Sequence, residues 1–301
     1  LRRDEMKDYK GIYTPIVTPF DENEEINYDY LEHNLDKWGQ SNLDGIVVLG
    51  SNGEFIYLNE QEKQDVIKFV KRNFTKDKNI LVGTYCESTK ATIELSKKAA
   101  DYGADAVLVL PPNYYKGAMA KDETLLRHYT EVADASPVPL FIYNMPGNTG
   151  ININSSVIAK LSKHPNIVGI KDTSGNIVQI AETARDTDDN FAIFAGNAGY
   201  LLPALEVGAR GATLALANIL PDECCKLVSL HKEGNHEEAK KLQHKMLKIN
   251  TAVTAKFGIG GLKYALNLLG YKGGYVRRPL MNVNNESAEI IKNLLMEYGV
   301  L

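Results

Sequence analysis

The sequence contains little that would favour a membrane, secreted or nucleic-acid-binding protein. No uncharged apolar run approaches the ~20 residues that a membrane-spanning helix needs, and the first residues lack the apolar stretch of a signal peptide. The three cysteines are too few for a disulfide framework, so we interpret them as thiols. With 34 basic and 38 acidic residues, the chain has no excess of positive charge, which argues against nucleic acid as its main partner. We expect a soluble, cytoplasmic protein with no membrane partner.

The sequence also lacks the common motifs for metals and nucleotides. None of its six histidines falls in a His-Glu-x-x-His spacing, and no Cys-x-x-Cys pair occurs. The phosphate-binding loop of nucleotide hydrolases, the Gly-x-Gly-x-x-Gly fingerprint and the Gly-x-Ser-x-Gly elbow are all missing. These absences predict an enzyme without a metal site or a nucleotide cofactor, if the chain is an enzyme at all.

What the sequence does contain is one unit repeated along the chain, a short apolar run followed by an amphipathic, charged stretch. The runs are rich in β-branched residues, a pattern typical of a parallel sheet covered by helices. They lie at residues 11–18, 45–49, 80–84, 106–110, 140–143, 167–171, 191–195 and 211–216. Helix-capping signals fall between them, including a capping box at residues 59–62 and N-caps at 88–89 and 154–155.

The number of these units favours one fold class. Eight strand–helix units in about 220 residues fit an α/β fold of the (β/α)8 TIM barrel type better than a doubly wound sheet, which has fewer strands. Beyond the last run the pattern is helical, with no strand signal except at residues 274–276. We therefore predict a (β/α)8 barrel over residues 9–219 and a C-terminal helical region over residues 220–301, packed on the barrel.

Three polar features follow predicted strands, at the end of a barrel where active sites lie. Lys171 directly continues an apolar strand; such a lysine either extends its amine to solvent or, held away from water, attacks a carbonyl as a neutral amine. Tyr143 begins a turn-rich loop that either only connects two elements or presents a proton relay. The turn that contains Ser51 either only reverses the chain or offers backbone amides to a carboxylate.

Taken together, these motifs resemble the dihydrodipicolinate synthase/N-acetylneuraminate lyase family of pyruvate-dependent Schiff-base aldolases. The resemblance extends over about residues 9–279 and rests on four motifs in the family's order: Gly50-Ser51-Asn52-Gly53-Glu54, Tyr143-Asn144-x-Pro146, Gly169-Ile170-Lys171-Asp172 and Gly196-Asn197. It implies a (β/α)8 barrel with a C-terminal helical region and a homotetramer built as a dimer of dimers. It also implies a small 2-oxo acid, pyruvate, as substrate or product, and no metal or organic cofactor.

The resemblance further implies a role for individual residues. Lys171 would form an imine with the C2 ketone of pyruvate or of a longer 2-oxo acid, and Tyr143 would shuttle protons. Ser51 and Asn52 would bind the carboxylate. Further pocket positions and the family's aromatic loop are matched by Thr173, Gly196, Thr213 and Tyr114. In that loop one tyrosine reaches into the site of a neighbouring subunit; Tyr114 matches best, and Tyr115 is the alternative.

Two departures from the pattern bear on the substrate, and one of them is Ser51-Asn52, where the synthases that make the lysine precursor favour two threonines. Synthases of the family that make the lysine precursor carry an arginine where this chain has Asn148, and that arginine binds the carboxylate of the second substrate. The chain more closely resembles 4-hydroxy-2-oxoglutarate aldolase, so we predict cleavage of a 4-hydroxy-2-oxo acid to pyruvate and an aldehyde. The alternatives are 4-hydroxy-tetrahydrodipicolinate synthase, a sugar-acid aldolase for N-acetylneuraminate or 2-keto-3-deoxygluconate, and a non-catalytic 2-oxo-acid sensor.

Overall fold

Parallel strands form a closed barrel in the computed structural model, which describes residues 7–301. The strands follow one another around the barrel in sequence order, from β1 to β8. They are β1 (Gly11–Pro15), β2 (Gly45–Val48), β3 (Asn79–Gly83), β4 (Ala106–Val109), β5 (Leu140–Asn144), β6 (Ile167–Asp172), β7 (Ala192–Ala195) and β8 (Gly211–Thr213). The predicted TIM barrel is confirmed. The extreme amino terminus, predicted to lack the apolar stretch of a signal peptide, lies outside the described residues.

The predicted strands are all present, but two of them end three residues before their apolar runs do. The first was predicted to residue 18 and ends at Pro15, and the last was predicted to residue 216 and ends at Thr213. After β8 the amide of Leu214 still donates to the carbonyl of Tyr13, but Ala217 then donates back to Leu214 and begins a 3₁₀ turn. An apolar run therefore continued beyond the strand because the turn that follows is buried as well.

The helices lie between the strands and after the last of them. They are α1 (Tyr28–Gln40), α2 (Glu60–Asn73), α3 (Thr89–Asp101), α4 (Lys116–Met119), α5 (Asp122–Ala135), α6 (Pro146–Thr149), α7 (Ser155–Leu161), α8 (Ile177–Asp186), α9 (Leu201–Glu206), α10 (Pro221–Lys232), α11 (His236–Thr251), α12 (Gly258–Leu268) and α13 (Asn285–Tyr298). One π-helical segment, Ala252–Lys256, joins α11 to α12. Within the described chain, no helix combines the length and the apolar character needed to cross a bilayer.

Most of the predicted helix caps are present. The Asn59 side chain accepts from the amide of Glu62, and the Glu62 carboxylate accepts from the amide of Asn59, which completes the predicted capping box of α2. Ser88 caps α3 through the amide of Ala91. Asn154 stands at the N-cap of α7, but its side chain makes no capping hydrogen bond and accepts instead from Asn152.

Contacts along the backbone divide the described chain into two compact units. The first contains the segment up to Gly11 together with Ile80–Gly196 and Pro203–Ala212, and so holds β4 to β7. The second contains Ile12–Asn79, Asn197–Leu202 and Thr213–Leu301, and so holds β2 and helices α10 to α13. The division of the chain at residue 219 into barrel and C-terminal region stays a prediction.

Aromatic rings fill the core of the first unit next to a position without a side chain. Phe141 on β5 is in register with Gly169 on β6, and its ring lies 5.4 Å from that of Phe194 on β7. A Cβ atom on Gly169 would lie 2.5 Å from Cε1 of Phe141 and 2.3 Å from the carbonyl oxygen of Ala192. Because such distances are sterically forbidden, glycine is required at this position for the Phe141 ring to pack where it does.

Candidate active site

Lys171 and Tyr143 face each other on adjacent strands. The two residues are in register on β6 and β5, so their side chains leave the sheet on the same side. Nζ of Lys171 donates to the phenolic oxygen of Tyr143 at 3.2 Å and lies 4.2 Å from the centre of its ring. Lys171 is only 5% exposed. The structure therefore contains a buried amine in direct contact with a buried phenol, whereas a lysine extended to solvent was the alternative from sequence.

The phenol of Tyr143 makes a second hydrogen bond. Its hydroxyl donates to Sδ of Met145 at 2.9 Å. Thioether sulfur is a weak acceptor, so this contact orients the phenolic proton without binding it strongly. Met145 was only the unspecified residue of the Tyr143-Asn144-x-Pro146 motif, and nothing in the sequence assigned it a function.

A network of polar side chains supports this pair from the adjoining positions. The carboxylate of Asp172, which is buried, accepts from Nδ2 of Asn144 and from Nε2 of Gln179, both at 3.0 Å. It also accepts from the amide and the hydroxyl of Ser174. Asn144 in turn accepts from the amide of Ile153. Since Asn144 and Asp172 directly follow Tyr143 and Lys171, the network fixes the strand ends that carry the two side chains.

Thr173 and Gly196 meet at the end of β6. The amide of Thr173 donates to the carbonyl of Asn144 at 2.8 Å, and that of Gly196 donates to the carbonyl of Asp172 at 2.7 Å. A Cβ atom on Gly196 would lie 2.0 Å from Oγ1 of Thr173, so only glycine fits beside this hydroxyl. Within the described part of the chain, that hydroxyl is buried and has no hydrogen-bond partner. Buried polar groups are almost always paired, so Oγ1 of Thr173 is available to a ligand.

The aromatic loop carries its tyrosines to the surface. Tyr114 and Tyr115 are 78% and 74% exposed, with their rings packed edge to face at 5.1 Å. Glu87 holds the loop by accepting from the amides of Asn113 and Tyr114, each at 3.1 Å. Burial, reinforced by the Glu87 carboxylate, raises the pKa of Tyr85, whose hydroxyl donates to Glu87. The structure does not bring Tyr114 to the Lys171–Tyr143 pair within the chain.

Asn148, the residue on which the substrate prediction depends, lies on the surface of the first unit. It belongs to the short helix α6, its side chain is exposed, and its amide donates to the carbonyl of Met145 at 3.1 Å. The neighbouring Thr149 is buried and donates from its hydroxyl toward the same carbonyl. Asn148 is thus hydrogen-bonded to the backbone of Met145, and the sulfur of Met145 accepts from the hydroxyl of Tyr143.

Ser51, Asn52 and Thr213 lie in the second unit, each at the carboxyl end of a strand. Ser51 and Asn52 form a 3₁₀ turn with Gly53 after β2, and Thr213 is the buried last residue of β8. Nδ2 of Asn52 is buried and, among the described residues, has no hydrogen-bond partner. An amide group in this state can donate to a carboxylate. Residues 7–301 contain no group of three or more side chains suited to hold a metal ion.

The chain matches one protein family along nearly its whole length. The model of the dihydrodipicolinate synthetase family matches residues 8–298. The chain is 36% identical to a 4-hydroxy-tetrahydrodipicolinate synthase of Caldicellulosiruptor saccharolyticus over 295 residues, which are 98% of this chain and 99% of that protein. It is also 36% identical to a probable mitochondrial 4-hydroxy-2-oxoglutarate aldolase of Emericella nidulans over 292 residues, 95% of this chain and 94% of that protein.

The fold is shared as well. The crystal structure of the dihydrodipicolinate synthase DapA-2 from Bacillus anthracis matches with a TM-score of 0.93 at 30% sequence identity, covering 97% of this chain and 99% of that one. The predicted family is confirmed. This chain therefore belongs to the dihydrodipicolinate synthetase family and is a carbon–carbon lyase that forms a lysine Schiff base with pyruvate.

Proposed function

We propose that the protein cleaves a 4-hydroxy-2-oxo acid, of the 4-hydroxy-2-oxoglutarate type, into pyruvate and an aldehyde. Lys171 is the Schiff-base lysine in this proposal. The observation that carries the assignment of Lys171 is the 3.2 Å contact between its buried Nζ and the hydroxyl of Tyr143, because an amine nucleophile needs a proton-transfer partner within hydrogen-bonding reach.

The reaction begins with imine formation. Nζ of Lys171 attacks the C2 ketone, and the resulting carbinolamine loses water to give a protonated imine. Tyr143 supplies the proton that the leaving hydroxyl needs. The positive imine nitrogen then accepts the electron pair of the C3–C4 bond. As that bond breaks, the 4-hydroxyl loses its proton to Tyr143 and C4 leaves as an aldehyde.

The remaining enamine returns the enzyme to its starting state. Protonation of C3 regenerates the imine, and addition of water at C2 releases pyruvate and the free amine of Lys171. Read in the opposite direction, the same steps join pyruvate to an aldehyde. Cleavage and condensation therefore need the same two catalytic residues, and the choice of substrate depends on other positions.

In this proposal, polar side chains bind the carboxylate of the 2-oxo acid. Oγ1 of Thr173 and Nδ2 of Asn52 are buried polar groups without a partner in the described chain, and Ser51 precedes Asn52 in the same turn. Gly196 leaves room beside Thr173, and Thr213 closes a strand as a further pocket position. In the same proposal, the chain forms a tetramer in which exposed Tyr114, or alternatively Tyr115, completes the site of a neighbouring subunit.

Asn148 counts against synthesis of the lysine precursor, because an amide at this surface position cannot form the bidentate contact that an arginine would make with the carboxylate of aspartate semialdehyde. Since 4-hydroxy-2-oxoglutarate also carries a second carboxylate, the preference for its cleavage is supported instead by the likeness to the probable 4-hydroxy-2-oxoglutarate aldolase of Emericella nidulans at 36% identity. The second candidate function is 4-hydroxy-tetrahydrodipicolinate synthase, which is favoured by the name of the relative from Caldicellulosiruptor saccharolyticus at 36% identity. The two candidates share Lys171 and Tyr143, so only their second substrates distinguish them.

Trapping of the imine tests the mechanism. The protein is incubated with pyruvate and borohydride, and peptide mass spectrometry should locate the reduced adduct on Lys171. Lys171→Ala should abolish the adduct, whereas Lys160→Ala, which changes an exposed lysine on α7, should leave it intact. An unmodified Lys171 in the wild-type protein would rule out both candidate functions.

A kinetic comparison then tests the substrate. Pyruvate release from 4-hydroxy-2-oxoglutarate is compared with release from 2-keto-3-deoxygluconate and N-acetylneuraminate, and with condensation of pyruvate and aspartate semialdehyde. We expect the highest kcat/KM for 4-hydroxy-2-oxoglutarate. Faster condensation with aspartate semialdehyde would favour the synthase, and the absence of turnover with every substrate would favour a non-catalytic sensor.

A further inference from the structure

The turn that contains Ser51 and Asn52 is enclosed by two residues in the left-handed region. Leu49 has a φ of 57° and Glu54 a φ of 54°, and neither is glycine. The backbone between them is closed by hydrogen bonds from Gly53 to Gly50 at 3.0 Å and from Glu54 to Ser51 at 3.1 Å. Residues other than glycine hold this conformation only where surrounding contacts impose it. The conformation of the turn must therefore be imposed by contacts outside it.

The side chain of Glu54 supplies these contacts. It is fully buried, and its Oε1 lies 2.6 Å from Nζ of Lys263 on α12. Its other oxygen, Oε2, accepts from the backbone amide of Arg277 at 2.9 Å. Both carboxylate oxygens are thus bound by groups from the C-terminal part of the chain, within the second unit.

Lys263 is held as firmly as its partner. Its side chain is 1% exposed, and besides Glu54 it donates to the carbonyls of Thr18 at 2.7 Å and Tyr275 at 2.6 Å. An ammonium group has three donors, and here three oxygens lie 2.6–2.7 Å from Nζ. Thr18 in turn donates from its hydroxyl to the carbonyl of Gly53 at 2.7 Å. Lys263 therefore reaches the turn by two routes, through Glu54 and through Thr18.

Such a pair is a costly means of stabilisation. Taking two charges out of water consumes much of their attraction, and buried ion pairs can often be replaced by apolar residues without loss of stability. Burial lowers the pKa of Lys263 to about 8, while the charge of Glu54 acts in the opposite direction. What an ion pair provides and an apolar pair does not is a fixed direction for the Glu54 side chain, and hence for its backbone.

We propose that Glu54 and Lys263 are positioning residues, which hold the Ser51–Asn52 turn in the conformation that binds the carboxylate of the 2-oxo acid. The inference rests on the proposed function, since it takes the carboxylate as the ligand of this turn. Nδ2 of Asn52, buried and without a partner among the described residues, is the group whose aim the pair determines. Neither Glu54 nor Lys263 touches the substrate in this proposal.

A double variant, Glu54→Gln with Lys263→Met, tests the proposal. It removes both charges together, so that no buried charge is left unpaired. The readout is the pyruvate concentration that gives half-maximal borohydride trapping on Lys171. We expect this concentration to rise about tenfold or more, as misplaced binding groups cost affinity, while the trapped fraction at saturating pyruvate stays unchanged. Arg278→Gln, which breaks an exposed ion pair with Glu24 in the same unit, should behave like the wild-type protein.

The outcomes separate the proposal from its alternatives. A folded double variant with unaltered half-saturation, even if it melts at a lower temperature, would show that the pair is merely structural and overturn the proposal. If the double variant does not fold, as judged by far-UV circular dichroism, Glu54→Gln alone decides at about pH 9, where Lys263 without its partner carries no charge. Glutamine keeps the volume and one acceptor oxygen, and unaltered half-saturation in this variant would overturn the proposal, whereas a rise would support it. Absence of an adduct on Lys171 in the wild-type protein would instead refute the proposed function, and this inference with it.

Discussion

Asn144 donates a hydrogen bond to the Asp172 carboxylate at 3.0 Å, one register step beyond the pair formed by Tyr143 and Lys171. The contact connects the last residues of β5 and β6 directly beside the two proposed catalytic side chains. The separation of the amine and the phenol is thus set by groups that need not contact the substrate.

Replacement of Asp172 by asparagine should weaken this connection. An amide at position 172 would bring its NH₂ group either against the donors of Asn144 and Gln179 or against those of Ser174, so in both orientations donors would lose their acceptor. We expect the free energy of unfolding to fall by about 1–3 kcal/mol and kcat to fall as well. Urea denaturation and steady-state kinetics measure the two effects. Asp186→Asn, at an exposed carboxylate paired with Arg185, is the control, and equal behaviour of the two variants would contradict the prediction.

Removal of the Tyr143 hydroxyl should slow catalysis more than binding. Tyr143→Phe keeps the ring beside Lys171 but deletes the group that receives and returns protons, so kcat should fall about 100-fold or more. The pyruvate concentration for half-maximal trapping should change little. Met145→Leu, which removes only the weak sulfur acceptor, should retain most of the activity. A phenylalanine variant with wild-type kcat would exclude Tyr143 as the proton-transfer group.

Addition of one methyl group at position 196 should damage the site. In Gly196→Ala the new Cβ would lie 2.0 Å from Oγ1 of Thr173 and 2.8 Å from the backbone oxygen of Asp172. We expect a loss of about 1–3 kcal/mol in the free energy of unfolding and a higher KM for the 2-oxo acid. Gly147→Ala is the matched control, because nothing lies within 4 Å of its added Cβ. Part of the stability should return when Thr173→Ala is combined with Gly196→Ala, and no recovery would argue against the clash.

The buried ammonium of Lys263 should make stability depend on pH. Burial lowers its pKa to about 8 from an ordinary value of 10.5, although Glu54 raises it, and the nearby charge of Arg277 lowers it further. Between these values the unfolded chain binds more protons than the folded one, so the contribution of Lys263 to stability should increase as the pH rises through this window. Below the lower value, the penalty for burying the charge is present in full.

Denaturation by urea from about pH 8 to about pH 9.5 measures this effect. The free energy of unfolding of the wild-type protein should rise relative to that of the double variant Glu54→Gln with Lys263→Met, which has no titrating group at either position. In Glu54→Gln alone, loss of the opposing charge should lower the pKa of Lys263 and move the rise to a lower pH. If the free energy of unfolding of the wild-type protein changed with pH in parallel with that of the double variant, the prediction would be wrong.

The barrel could be predicted from the sequence because each strand is a short apolar run that is buried on both sides. The capping box at Asn59 and Glu62 could be predicted equally well, since its two partners are three residues apart in the sequence. The ends of the strands were harder to predict. Whether the chain leaves β8 at Thr213 or three residues later depends on which acceptor the next amide finds, and the apolar pattern does not change there.

The site could be predicted from the sequence only in part, because some of its contacts join residues that are distant in the sequence. The resemblance located Lys171 and Tyr143, and the structure brings these two into contact. Gln179 and Lys263 carry no motif of their own, because they act through partners that only the folded chain brings near. Glu54 is the last residue of the Gly50-Ser51-Asn52-Gly53-Glu54 motif, but the local sequence carries no signal of its pairing with Lys263 on α12.

The missing side chain at Gly169 also limits what the site can hold. Residues 169 and 171 leave β6 on the same side, as do 141 and 143 on β5. The Phe141 ring occupies the layer directly beneath the Lys171–Tyr143 pair because Gly169 leaves that space open. Any side chain at position 169 would compete with the ring for this space. The packing beneath the proposed Schiff base therefore depends on the absence of a single carbon atom at position 169.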